Sequence, residues 1–190
     1  MRHRARFRST LALIASAAAL AVAGPAAAQT GGAGTPTTAP TSSGTPGVAT
    51  LQPDGSALAP PDAPKRVRKA INAANRIRFK PYLYGGGHRR WKAKGYDSSG
   101  AVSYVLHAAG LLKKRPLASG GLAKRWGKPG VGRWITVYAN KGHAYAVIAG
   151  LRWDTSAVGE PLNSGSGPRW RSTARSPVGY RAKYRMAPAA

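Results

Sequence analysis

The chain has 190 residues, with 30 Lys+Arg against 5 Asp+Glu and a formal net charge of +25. That length holds one domain plus tails. There is no cysteine, which excludes disulfides, a thiol nucleophile and a cysteine-ligated metal; neither a metal ion nor a cofactor is expected.

Arg2, Arg4, Arg6 and Arg8 precede the apolar run LALIASAAALAVAG, and Ala26 and Ala28 form an A-x-A site before Gln29. This is the layout of a signal peptide over 1–28. The apolar run is too short and too alanine-rich for a membrane-spanning helix. The mature chain is therefore expected to be secreted or cell-wall associated. Taking those four arginines from 30 basic residues leaves 26 against five acids. Such a field favours polyanions, and for a secreted protein these are anionic wall polymers, with no specific nucleic acid expected. From Thr30 to Pro61 the chain is mostly Gly, Ser, Thr, Pro and Ala. Residues 29–61 thus read as a disordered tether.

The folded domain is expected over 62–186, with 187–190 as a tail. Asp62 is placed as an N-cap and Pro64 in the first helical turn. Val67, Ala70, Ile71, Ala74 and Ile77 recur at helical spacing, which predicts an amphipathic helix over Lys65–Arg78 with a basic outer face. PYLYGGG then breaks the helix, and its glycines let backbone pass close to another segment. A second helix is expected from Asp97–Ser98 to about Ala109, with Val102, Val105 and Leu106 on its core side and Gly110 as its stop. Lys113–Lys128 reads as a basic connection. RWITVYA and HAYAVIA read as strands joined by Asn140-Lys141-Gly142, followed by a strand at Arg152–Thr155. GPRWR follows a Gly/Ser loop, and VGYRAKYR reads as an edge strand. Two helices followed by a meander of strands make an α+β domain.

Of the four histidines, His3 leaves with the signal peptide. His107 lies nine positions after Ser98 on one helix, hence on the opposite face. His88 and His107 both read as surface or packed histidines. His143 differs: it opens a strand and shares a face with Tyr145, Val147 and Ala149. If Gly150-Leu151 is a two-residue hairpin loop, Ala149 pairs with Arg152, and Asp154 falls on the His143 face. A loop one residue longer would reverse that, leaving Asp154 to pair with an arginine. Ser98 stands where a helix N-terminus offers N–H groups to an oxyanion. On these residues alone, Asp97, Ser98 and Ser99 read first as helix caps.

PYLYGGG, YDSSGAVSYVLHAAGLL, GHAYAVIAG and WDTS together resemble the NlpC-type (NlpC and p-sixty) papain-fold cell-wall peptidases. The family pattern is P-Y-x-[WY]-G-G, then D-C-S-G-[LV], then G-H-[VA] with a polar residue on the next strand. The resemblance covers Lys65 to Thr155. It implies a papain-like fold, helices packed on a small antiparallel sheet. It also implies cleavage of peptidoglycan stem peptides by a Cys–His pair with a third polar residue. Carried over, Ser98 takes the nucleophile position, His143 the base and Asp154 the orienting residue. Tyr84, Asp97 and Ser99 would then contact substrate. Serine replaces the family's cysteine, so the expectation is a non-catalytic or weakly active wall-binding homologue. Two alternatives stand beside it: an endopeptidase using a Ser98-His143-Asp154 triad, and a cationic protein acting by charge alone.

Overall fold

The structure is a computed structural model and describes residues 47–161, 165–187 and 189. The expected signal peptide and most of the expected tether lie outside these residues. Among the described residues, three helices and two antiparallel sheets make a mixed α+β domain.

Helix α1 spans Lys65–Ile77 and buries Val67, Ala70, Ile71, Ala74 and Ile77, the apolar stripe read from the sequence. Its N-cap is Pro64, with no side-chain cap. Asp62 instead accepts the Gly47 N–H at 2.9 Å, so it ties down an earlier segment and does not cap the helix. That segment is a hairpin of β1 (Thr50–Leu51) and β2 (Ala57–Leu58). Residues 47–61 are therefore folded, contrary to the tether reading. Small residues hide the reason: Ala49 and Ala57 are buried. The amide of Asn75 in α1 also takes both the N–H and the carbonyl of Ala57, each at 2.9 Å.

Helix α2 (Ser98–Ala108) is the central element, with Val102, Val105 and Leu106 buried. It contacts α1 on one side and the main sheet on the other. Helix α3 (Ser119–Arg125) falls inside the stretch read as a connection, and it packs on the sheet. With seven residues, two of them glycine, it carries too little pattern to be seen in advance.

The main sheet comprises β3 (Lys128–Pro129), β4 (Ile135–Ala139), β5 (Ala144–Ile148), β6 (Leu151–Asp154), β7 (Arg169–Arg171) and β8 (Arg181–Tyr184). Their order is β3-β8-β4-β5-β6-β7. GPRWR thus supplies the edge strand β7. VGYRAKYR supplies β8, which lies inside the sheet between β4 and the two-residue β3, not at the edge.

The β5–β6 turn fixes the register of the site. Ile148 pairs with Leu151 and Val147 with Arg152. The loop is therefore Ala149-Gly150, one position earlier than expected. Both residues have positive φ, 46° and 77°, as the favoured two-residue hairpin turns require. Sliding a two-residue loop by one position moves the pairing by two and preserves the parity. Asp154 keeps the His143 face.

Candidate functional site

Three backbone segments meet at the N-terminus of α2. The glycine loop 85–87 lies against the first turn so closely that a Cβ on Gly100 would overlap the carbonyl oxygen of Gly86. The Asp97 N–H donates to Gly86 O at 3.2 Å. Asp97 caps the helix by accepting the Gly100 N–H at 2.7 Å and also accepts the Gly85 N–H at 3.1 Å. Its oxygens lie 3.0 and 2.9 Å from His88 Nε2. Burial alone would raise the Asp97 carboxyl, but hydrogen bonds from His88 and Gly100 outweigh it and hold it below the ordinary range. The Asp97 hydrogen bond raises His88 in turn, against the opposing effect of burial.

Ser98 is the first residue of α2 and is 8% exposed. Its Oγ accepts the Ala144 N–H at 3.4 Å, which fastens the helix end to the start of β5, one residue past His143. The N–H groups of Ser98 and Ser99 have no acceptor within the helix because they lie in its first turn. Ser98 lines a cleft of about 500 Å³ with Tyr82, Tyr84, His88, Ser119 and Lys141 among its walls. Tyr84 is 90% exposed at this cleft. Ser99 donates to Asp97 Oδ1 at 3.1 Å and lies 3.2 Å from His88 Nε2.

His143 and Asp154 come together across β5 and β6. His143 Nε2 lies 2.8 Å from Asp154 Oδ1. The ring is partly exposed, while the carboxylate is fully buried. With Nε2 committed to Asp154, Nδ1 is the nitrogen left to take a proton. Asp154 Oδ1 also accepts the Ser156 N–H at 3.0 Å. Its Oδ2 accepts from Arg175 Nη1 at 3.2 Å, with Arg152 Nε at 3.9 Å. The two roles read for Asp154, orienting a histidine and pairing with arginine, thus coexist, one on each oxygen.

Arg175 carries no sequence signal, since it sits in an aperiodic loop. It bonds Asp154 and Tyr180 OH, the latter at 2.9 Å, and lies over the rings of Tyr145 and Tyr180. Tyr180 meets His143 edge-on at 6.3 Å. Burial first, then neighbouring Tyr138, push the Tyr145 hydroxyl up to about 12, so it is no base at neutral pH. His107 stacks on Trp91 at 3.9 Å and bonds Leu112 O; it is a packed histidine. His88, read the same way, instead belongs to the cleft.

No family model matches the chain, and no curated protein matches it. Among solved structures, that of Rv1477, described as a hypothetical invasion protein of Mycobacterium tuberculosis, aligns at 18% identity with a TM-score of 0.44. The alignment covers 63% of this chain and 64% of that one.

Proposed function

We propose that the protein is a secreted, wall-associated domain of the NlpC type that binds peptidoglycan stem peptides in the Ser98 cleft and cleaves them weakly or not at all. One observation carries this reading. The His143–Asp154 pair is built at 2.8 Å beside the N-terminus of α2, while Ser98 Oγ is bonded to the Ala144 N–H. Among the described residues, no hydrogen bond joins Ser98 Oγ to His143. A thiol here would ionise readily, helped by the helix end and an imidazolium. A hydroxyl must instead lose its proton to the histidine during attack, which requires contact between the two. The C–O bond is also shorter than C–S, which leaves the oxygen farther from the base.

The test is digestion of purified muropeptides by the natural protein, by Ser98→Cys and by Ser98→Cys/His143→Ala. The natural protein leaves the peptides intact, Ser98→Cys cleaves them, and the double variant does not. Loss of a working nucleophile costs on the order of 10⁶ in rate, so the contrast should be large.

A second reading has its own support. Asp154 is a carboxylate on His143 Nε2, the partner a serine nucleophile needs in order to stabilise the imidazolium. If the natural protein cleaves and Ser98→Ala abolishes cleavage, Ser98, His143 and Asp154 form a working triad.

A further inference from the structure

The chain has five carboxylates, and each is committed within the fold. Asp54 pairs with Arg78. Asp62 holds Gly47, and Asp97 holds His88. Asp154 holds His143, and Glu160 holds Arg152, Ser172 and Thr173. None of them lines the three clefts around α3 described next; Asp97 lines the Ser98 cleft.

On that surface two clefts, of about 450 and 590 Å³, share Arg125 and Arg185. Lys128 lines the first; Lys113, Lys114 and Arg115 line the second. All six cations are exposed, and among the described residues none is in an ion pair. A third cleft continues from Arg125 through Lys124 to Lys141, and Lys141 also lines the Ser98 cleft.

The walls are fixed from beneath. Ser103 Oγ accepts the Leu117 N–H and donates to the Leu117 carbonyl. Trp126 Nε1 bonds Leu111 O at 3.1 Å, and Arg185 lies over the Trp126 ring. These are three open, adjoining depressions joined at Arg125 and lined by one sign of charge, an arrangement that raises the local field on an anionic chain. The basic outer face of α1 is convex by comparison.

We propose that this open channel binds a linear, base-free phosphate polymer and leads it to the mouth of the Ser98 cleft at Lys141. Lysine and arginine supply point charges and phosphate forks. Of the residues lining the three clefts only Tyr184 is aromatic, so the channel lacks the row of stacking faces that single-stranded nucleic acid uses. The proposal does not rest on any chemistry at Ser98.

The test is a fluorescence titration of the full chain with end-labelled inorganic polyphosphate at 50 and 200 mM salt. Binding should weaken steeply with salt, as multiple phosphate contacts require. Arg125→Glu/Arg185→Glu should weaken it at least tenfold. Lys65→Glu/Lys69→Glu on α1 makes the same change in net charge and should weaken it less than threefold. Lys113→Glu/Lys114→Glu, in an exposed loop, repeats the test without disturbing the Arg185–Trp126 contact. Equal losses from the channel and α1 pairs would reduce the effect to net charge and overturn the proposal. So would tighter binding of an oligothymidine with the same number of phosphates, which would make the ligand nucleic acid.

Discussion

The domain contains two histidine–aspartate pairs, and they are wired differently. At His88–Asp97 a single ring nitrogen, Nε2, faces both carboxylate oxygens and also Ser99 Oγ. The aspartate is spent on the helix cap and the glycine loop. Such a histidine is a clamp: the nitrogen nearest the serine is the one already shared with the acid, so no proton can pass from serine through ring to carboxylate. At His143–Asp154 the acid holds Nε2 from one side and is itself held by Arg175 on its other oxygen. The second ring nitrogen takes no part in that bond. Two pairs of the same composition are thus placed differently, His88–Asp97 in the wall of the cleft and His143–Asp154 behind the α2 N-terminus, next to the Ala144–Ser98 hydrogen bond.

The largest test of this division is removal of each acid. Asp154 is fully buried, with Arg152 at 2% side-chain exposure and Arg175 at 15% around it. Asp154→Ala leaves Arg175 without its carboxylate, while Arg152 keeps Glu160, and breaking a buried pair in this way costs about 3–5 kcal/mol. Asp97→Ala removes an N-cap, worth about 0.5–2 kcal/mol. Urea unfolding of the two variants should therefore show a clear gap, Asp154→Ala being the weaker fold. Equal midpoints would mean that the Asp154 site is wet and relaxed, and the contrast between the pairs would fail.

The next effect is steric. Gly100→Ala drives a Cβ into the Gly86 carbonyl, at a cost of about 1–3 kcal/mol for forced backbone shifts. The strain falls on the clamp side of the cleft only. Peptide binding should weaken, while the His143–Asp154 pair, read from the histidine ring signals by NMR, stays intact. Disturbance of both histidines alike would show that the two halves of the site are one mechanical unit.

Much of this arrangement is legible in the sequence. The stripe on α1, the buried face of α2 and the strands β4 to β6 follow from period alone. Parity puts Asp154 on the His143 face even though the loop lies one residue earlier than expected, because parity survives a shift of the whole turn. Three things are not legible. Arg175 reaches Asp154 from an aperiodic loop. His88 looks like any loop histidine until the glycines fold it back onto Asp97. The hairpin at 50–58 has a linker's composition, and only Asn75 and two buried alanines reveal it.

The smallest effect separates the pairs by pH. His88 titrates above its ordinary value because Asp97 bonds its charged form, burial notwithstanding. Its contribution to stability is then full below about pH 6.5 and is lost as pH rises through the elevated folded value. Asp97 titrates below its ordinary value, so its contribution is present above about pH 4 and disappears as pH falls through the lowered value. The pair stabilises most between those limits, by about 1 kcal/mol or less, since both side chains keep some contact with water. Melting temperatures of the natural protein and His88→Ala should therefore differ most near pH 5.5, and the gap should narrow as pH rises into the alkaline range. A gap that stays constant across that range would mean that His88 works as a neutral packing group, and the clamp would owe nothing to charge.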